Sequence, residues 1–288
     1  MSWATTQDNV RLHYEEAGTG TPIVFVHEFA GDWRAWEPQM RHFARRHRCI
    51  TYSARGYPPS EIPKDVSAYS QAQAVQDILC VMDAAGIARA HIVGLSMGGF
   101  ATIHFGLTAP ERALSLTVAG AGYATEKSTQ EHSRALSRET AQKFDTIGAK
   151  ELAKTYALGT TRVQLQNKDP RGWQEFATHL GEHDSLGSAN TMRGVQASRP
   201  SIYDFEKELR ALKVPMLVIN GDEDDQCIQP GIFLKKNVPA CGLLMLPKTG
   251  HTINLEEPDW FNMFLANFIA SVEAGRWTDR DPRSVSAH

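Results

Sequence analysis

Short apolar runs alternate with amphipathic segments along the first 120 residues. The runs "PIVFV", "RCITY" and "HIVGL" are rich in β-branched residues and predict buried strands. Between two of them, "SQAQAVQDILCVMDAAG" repeats apolar residues at three- and four-residue spacing up to Gly86, which predicts an amphipathic helix. Strands and helices that alternate at this spacing indicate βαβ units. The predicted fold class is therefore α/β, with a mostly parallel central sheet flanked by helices.

This alternation stops at Tyr123. From there to about Phe205 the pattern contains helical pieces such as "ETAQKFDTIGAKELAKTYALG" and no convincing strand. Strands return in "VPMLVINGDED" and "GLLMLPKTGH", and a last helix follows in "DWFNMFLANFIASVEAG". We therefore expect residues 1–122 to form the first part of a core, 123–206 a helical insertion and 207–275 the second part of the core. The polar residues 276–288 are expected to be a flexible tail.

Charge and hydropathy exclude two classes of partner. The chain has 288 residues, with 30 Lys and Arg against 33 Asp and Glu, a net charge of −3, and no long basic block. A nucleic-acid-binding surface is therefore not expected, whereas a small neutral or anionic ligand is compatible with this balance. No segment reaches about 18 consecutive apolar residues, and the N-terminus lacks the layout of a signal peptide. We expect a cytoplasmic protein without a membrane partner.

Metal and cofactor chemistry have weak support. The four cysteines are widely spaced and form no CxxC pair, which predicts reduced thiols. His179, Glu182 and His183 match the zinc pattern H-x-x-E-H, but Gly181 weakens the helix that would hold two ligands, and no third ligand is evident. We predict no metal and no cofactor. The alternative for this motif is a polar segment in which one histidine, His179, faces a substrate.

A possible nucleophile lies between a predicted strand and a predicted helix. Gly94, Ser96 and Gly98 match G-x-S-x-G, where glycines let the backbone turn sharply enough to lift a serine hydroxyl clear of the sheet. The turn also aims the positive end of the following helix at the place where an oxyanion would form. The alternative is a plain Gly-rich connection between strand and helix.

A serine nucleophile requires a base and an acid further along the chain. The acidic loop "NGDEDD" directly follows a predicted strand, and "KTGHTINLEEP" carries His251 in a loop after the last predicted strand. The order Ser96, Asp224, His251 is the one expected when the serine sits on a strand-to-helix turn of an α/β sheet. Asp222 and Asp225 are the neighbouring alternatives for the acid.

With these motifs the chain resembles the α/β-hydrolase superfamily, in particular its capped esterase, lactonase and C–C hydrolase branch, over most of residues 10–270. The resemblance rests on "GLSMGG", "GDEDD", "GHTINLEEP" and on "VHEFAGDWRAW", where the family usually has His-Gly-x-x-Gly. It implies the α/β-hydrolase fold, a helical cap for the insertion 123–206, and Asp224 as the acid, three positions after the glycine.

The resemblance also implies an oxyanion hole built from the backbone N–H groups of Phe29 and Met97. Here the sequence departs from the family, because Glu28 replaces the usual glycine next to the histidine and adds a charged side chain close to the site. We hypothesise that the Glu28 side chain points away from the site and anchors the loop by hydrogen bonds. Six residues are candidates for the substrate pocket: Glu28, Trp33, Trp36, Trp173, Phe176 and His179.

These residues predict a serine hydrolase with a small-molecule substrate, by default a carboxylic ester or a lactone. Amide or C–C bond cleavage needs the same machinery with a different pocket, and serine at the turn argues against dehalogenation and epoxide hydrolysis. The alternative from another class is a ligand-binding receptor that keeps the triad but turns substrate over slowly or not at all. A homodimer is left open.

Overall fold

The computed structural model describes residues 2–285, and eight strands form one sheet within that range. The strand order is β1-β2-β4-β3-β5-β6-β7-β8, with β1 and β2 antiparallel to their neighbours and all other pairs parallel. This confirms the predicted α/β class with a mostly parallel sheet. The strands are Ser2–Thr5 (β1), Arg11–Ala17 (β2), Pro22–Val26 (β3), Arg48–Tyr52 (β4), Ala90–Leu95 (β5), Ala113–Ala119 (β6), Met216–Gly221 (β7) and Cys241–Leu246 (β8).

Eleven α-helices occur in the described chain, together with several single-turn segments. The α-helices are Glu37–Phe43 (α1), Gln71–Ala84 (α2), Met97–Thr108 (α3), Gln130–Tyr156 (α4), Val163–Lys168 (α5), Pro170–Gly181 (α6), Ser185–Thr191 (α7), Glu206–Ala211 (α8), Asp225–Asn237 (α9), Ile253–Glu256 (α10) and Pro258–Glu273 (α11). The 3-10 turns are Trp33–Trp36, Val66–Ala68, Pro110–Arg112, Thr160–Arg162, Ile202–Phe205 and Pro282–Ser284, and Met192–Gln196 forms a π turn.

Alternate residues of the central strands face opposite sides of the sheet, so each side has its own apolar core. On one side Val24 and Ile92 pack in a cluster that contains Met82 of α2 and Ile103 of α3. On the other side Phe25 packs in a cluster with residues of α1 and α11. The sheet is thus covered on both faces, which leaves the carboxyl ends of its parallel strands as the place for a site.

The stretch between β6 and β7 contains no strand in the described chain, and its regular elements are α4 to α8 and several single-turn segments. It contributes most of a third apolar cluster, which includes Leu152 and Leu180 and in which Phe144 packs against Phe29 of the loop after β3. The helical stretch therefore docks on the loop that follows β3. Its treatment as a cap with the limits 123–206 stays a prediction.

The end of the chain contacts the core at Trp277, inside the predicted tail 276–288. The Trp277 indole packs edge-on against Phe268, with ring centroids 4.6 Å apart, and its Nε1–H donates to Ala240 O at 2.9 Å. Residues 286–288 lie outside the described residues. None of the described helices has the length and the apolar character that a bilayer crossing requires.

Candidate active site

Ser96 occupies the sharp turn between β5 and α3. Its backbone has φ 54° and ψ −112°, a conformation that is strained for any residue with a Cβ, and its N–H donates to Ala119 O at 2.8 Å. Strained side-chain-bearing residues persist where the surrounding structure determines them, and they cluster at functional sites. The Ser96 side chain is therefore held at the carboxyl end of β5 by its backbone rather than by side-chain contacts.

The two flanking glycines are required by close backbone approach. A Cβ on Gly94 would lie 2.1 Å from Gly98 O, and a Cβ on Gly98 would lie 2.1 Å from Val26 O. No side chain fits at either position unless the strand and helix separate. The glycines of the G-x-S-x-G pattern are therefore needed for the close packing of α3 on β3 and β5. An ordinary Gly-rich connection would not require glycine at these two positions.

His251 and Asp224 form a buried pair. Asp224 ends the loop after β7, His251 lies in the loop after β8, and Nδ1 of His251 is 2.6 Å from Oδ2 of Asp224. Burial alone would lower the pKa of His251, but the Asp224 carboxylate outweighs burial and the pKa is raised. Burial alone would raise the pKa of Asp224, but its contacts with His251 reverse the direction and the pKa is lowered. A carboxylate at Nδ1 favours the tautomer whose Nε2 is free to accept a proton.

The neighbouring carboxylates make other contacts. Asp222 is exposed and accepts from the Thr249 N–H at 3.3 Å, and Asp225 is exposed at the start of α9. Of the three aspartates in the acidic loop, Asp224 is therefore the one that contacts the imidazole.

Glu256 organises the loop that carries His251. Its buried carboxylate accepts from the Gly250 N–H at 2.7 Å, from the Thr252 N–H at 3.0 Å and from the Thr252 hydroxyl at 3.1 Å. Burial raises the pKa of this carboxyl despite these donors. The sequence motif "EEP" pointed to this segment but not to its role. Glu256 is a positioning residue, because it holds both backbone neighbours of His251 without facing the cavity.

The two predicted oxyanion donors are free to bind a ligand atom. Met97 is the first residue of α3, where a backbone N–H has no partner inside its own helix, and Phe29 follows β3. In the described chain neither N–H has a hydrogen-bond acceptor. The Met97 sulfur lies 4.0 Å from the Tyr57 hydroxyl oxygen.

Glu28 forms a buried ion pair with Arg162, the last residue of the 3-10 turn before α5. Arg162 Nη2 donates to Glu28 Oε2, both side chains are no more than 3% exposed, and the guanidinium also stacks over the Phe176 ring at 4.8 Å. Glu28 is not among the residues with positive φ, so its Cβ adds no backbone strain. The expected hydrogen-bond anchor exists, but the side chain forms part of the cavity wall instead of pointing away from it.

Ser96, Asp224 and His251 line one cavity of about 370 Å³, a volume that suits a small molecule. No direct hydrogen bond joins Ser96 to His251 among the described residues; hydrogen bonds of this kind are often long without substrate and tighten in the complex. Arginine, glutamine, tyrosine and methionine residues between β6 and β7 also line the cavity. Sequence reasoning missed these residues: Tyr123, Tyr156, Arg162, Met192, Gln196 and Arg199.

Of the six predicted pocket residues, Glu28 alone lies at the cavity. Trp36 is buried between Phe25 and Phe261 in the sheet core, and Trp33 packs on His13. The other three belong to α6, and the prediction is corrected for all five: Trp33, Trp36, Trp173, Phe176 and His179. The physical reason is that large aromatic faces fill the contacts between elements, as when the Trp173 indole donates to Ala157 O at 2.7 Å.

The side chains of the H-x-x-E-H motif contact different parts of the protein. Glu182 pairs with Arg34 at 2.7 Å, and His183 is buried against the Tyr57 ring. Among described residues, the one group of three possible ligand atoms is Asp224, Cys227 and His251. Burial raises the pKa of the Cys227 thiol well above its usual value, and the contact that joins members of this group is the hydrogen bond between His251 and Asp224.

Comparison with known proteins gives one consistent family. The family described as "alpha/beta hydrolase fold" matches residues 21–258. The chain is 25% identical over 255 residues to 3-oxoadipate enol-lactonase 1 of Acinetobacter baylyi, which covers 87% of this chain and 89% of the relative. It is 27% identical over 281 residues to 2-hydroxy-6-oxo-6-phenylhexa-2,4-dienoate hydrolase of Burkholderia cepacia, which covers 91% and 92%.

Solved structures share the fold. An enol-lactonase from Burkholderia xenovorans LB400 superposes with a TM-score of 0.81 at 24% identity, covering 93% of this chain and all of that one. A thermophilic esterase from Thermogutta terrifontis superposes with a TM-score of 0.82 at 22% identity, covering 94% and 98%. At these identities the likeness concerns the fold.

Proposed function

Because the chain belongs to the alpha/beta hydrolase fold family, we propose that it is a serine hydrolase that cleaves a small-molecule carboxylic ester or lactone through an acyl-enzyme on Ser96. The observation that carries the proposal is the 2.6 Å contact between His251 Nδ1 and Asp224, in a cavity that Ser96 also lines. A base that is oriented by a carboxylate and shares a cavity with a strained serine is the arrangement that nucleophilic catalysis requires.

In the proposed reaction His251 Nε2 takes the proton of the Ser96 hydroxyl as its oxygen attacks the substrate carbonyl carbon. The raised pKa of His251 makes its imidazole a stronger base, and Asp224 stabilises the imidazolium that forms. The proton then passes to the leaving oxygen, and the C–O bond breaks. Water repeats the same steps on the acyl-enzyme and releases the acid.

The charge that develops on the carbonyl oxygen would be stabilised by the Phe29 and Met97 N–H groups. Both donors lack other acceptors in the described chain, and Met97 begins a helix whose N-terminus carries partial positive charge. Donors that are already in place lower the barrier because they need not reorient as the charge forms.

The size of the cavity and the relatives support the default substrate class. A cavity of about 370 Å³ holds a small molecule rather than a polymer. The relatives include an enol-lactonase and a C–C hydrolase, so esters and lactones form the test panel and C–C bond cleavage stays the alternative.

The test compares wild type, Ser96→Ala and Ser271→Ala on p-nitrophenyl esters and simple lactones. Ser271 is a serine on α11 that bonds within its own helix, so it controls for the substitution itself. We expect Ser96→Ala to lose on the order of 10⁴-fold or more in kcat and Ser271→Ala to match wild type. Full turnover by Ser96→Ala, or turnover that a chelator abolishes, would contradict the proposal, and tight binding without turnover would favour the receptor alternative.

A further inference from the structure

Arg199 is a buried cation in the wall of the cavity. It is 2% exposed, stacks over the Phe100 ring at 3.6 Å from its centroid, and donates from Nη2 to Tyr123 O at 2.8 Å. Its Nε and Nη1 atoms are buried and have no hydrogen-bond partner. A guanidinium carries five N–H donors, so most of its hydrogen-bonding capacity is unused.

No carboxylate neutralises Arg199 among the described residues. The other charged groups of the cavity are already paired, Glu28 with Arg162 and Asp224 with His251, and Arg199 is in no ion pair. Burial lowers the pKa of Arg199 to about 9, so the side chain still carries its charge at neutral pH. A buried charge without a partner is costly, so an anion that bound beside Arg199 would remove part of that cost.

Gln196 lies three residues before Arg199 and lines the same cavity. Its side chain is 6% exposed, and its Oε1 atom is buried without a hydrogen-bond partner. Arg199 and Gln196 both line the cavity that Ser96 also lines. Because an amide oxygen accepts hydrogen bonds, Gln196 Oε1 can bind a donor group of a ligand but not an anion. The same wall contains Tyr156 and the apolar side chains of Met192 and Leu136.

We propose that Arg199 binds a carboxylate of the substrate, so the enzyme prefers esters or lactones that carry a free carboxylate away from the scissile bond. This inference rests on the proposed hydrolysis at Ser96, because it assigns the substrate class of the same cavity. The planar guanidinium matches a carboxylate through two parallel N–H···O bonds.

The charge balance favours a carboxylate over a phosphate. One unpaired cation neutralises one negative charge, whereas a phosphate monoester carries close to two at neutral pH. Arg162 also has buried Nε and Nη1 atoms without a partner, but Glu28 neutralises its charge, so it has less attraction for a second carboxylate. The proposal therefore assigns one anionic group of the substrate, bound at Arg199.

The experiment uses a substrate ladder that varies only the remote group. Monomethyl esters of dicarboxylic acids from succinate to suberate are compared with methyl alkanoates of equal carbon number, by pH-stat measurement of kcat/KM. We expect wild type to prefer one of the half-esters by at least about 10-fold over its neutral partner. The chain length of that optimum reports the span from Ser96 to Arg199.

Variants of Arg199 distinguish a role in substrate binding from a role in stabilising the fold. Arg199→Gln should lower kcat/KM for the preferred half-ester by about 10- to 100-fold and leave the methyl alkanoates within about threefold, with Arg199→Lys intermediate. Arg193→Gln is the matched control, because Arg193 lies on the preceding turn and pairs with Asp145 at the surface. The unfolding midpoint of Arg199→Gln should equal or exceed that of wild type. An equal loss on both ester series together with a lowered midpoint would overturn the proposal.

Calorimetry distinguishes failure of the subsite from failure of the proposed function. Ser96→Ala should bind adipate or glutarate, the additional change Arg199→Gln should abolish that binding, and inorganic phosphate should bind more weakly. Ser96-dependent hydrolysis with no preference for half-esters would overturn the subsite and leave the hydrolase proposal intact. Arg199-dependent dicarboxylate binding without hydrolysis of any ester would support the subsite and overturn the hydrolase proposal.

Discussion

The Glu28–Arg162 pair should dominate the stability of the loop after β3. Glu28→Gln preserves the shape of the side chain but leaves the Arg162 charge without a carboxylate. Both side chains are no more than 3% exposed, so water cannot replace the lost partner. Breaking a buried pair in this way costs about 3–5 kcal/mol. For a domain of this size that corresponds to a fall in Tm of roughly 6 to 20 °C.

The double variant Glu28→Gln/Arg162→Met should recover most of that loss, because removing both charges also removes their desolvation cost. The exposed pair Glu37 and Arg41 on α1 is the matched control, with side chains 53% and 78% exposed. Glu37→Gln should change stability by less than about 0.5 kcal/mol. The difference between the losses of stability caused by Glu28→Gln and by Glu37→Gln reports the effect of burial.

Urea denaturation followed by tryptophan fluorescence measures these values, and ester turnover is measured on the same samples. Because Glu28 precedes Phe29, we expect Glu28→Gln to lower kcat as well as stability. The reasoning would be refuted if Glu28→Gln were no more destabilising than Glu37→Gln. It would also be refuted if Glu28→Gly raised activity at no cost in stability.

Three further outcomes follow from the site geometry. Ser96→Gly should abolish turnover but stabilise the fold by about 1 kcal/mol in urea denaturation, because glycine adopts a positive φ without steric strain. A destabilised Ser96→Gly would show that the turn is not strained. Asp224→Asn should lower kcat by about 10⁴-fold. The wild-type kcat/KM for a neutral ester should rise with pH through a pKa above about 6.5, because His251 acts as the base in its neutral form. A pH-independent profile would argue against that role. Gly98→Ala should abolish the yield of folded protein, because its Cβ would overlap Val26 O, and a stable, active variant would disprove this packing argument.

The sequence predicted the parts of the molecule whose signals are local. Alternating strand and helix patterns predicted the sheet, and the steric demands of the turn at Ser96 made Gly94 and Gly98 recognisable. Asp224 and His251 each follow a parallel strand, and the carboxyl ends of parallel strands lie at the same edge of the sheet. The sequence therefore predicted that both residues lie at this edge. Their catalytic roles stay a prediction.

The helical stretch carried no comparable signal. Which face of α4 or of the segment around Arg199 meets the cavity depends on how those helices dock, and polar residues on a helix are usually solvated. The aromatic residues Trp36 and Phe176 were assigned to the pocket because aromatic patterns do not distinguish a pocket wall from a core. Glu28 was recognised as unusual, but its partner Arg162 lies 134 positions away and no periodicity connects them.

The account depends most on Ser96 being the nucleophile that His251 activates, and covalent labelling tests this directly. Wild type, Ser96→Ala and His251→Gln are treated with a fluorophosphonate, and intact-mass and peptide mass spectrometry locate the adduct. We predict one adduct on the peptide that contains Ser96, none in Ser96→Ala, and labelling slowed on the order of 10³-fold or more in His251→Gln. An adduct on another residue, or continued ester hydrolysis by fully labelled protein, would contradict the account.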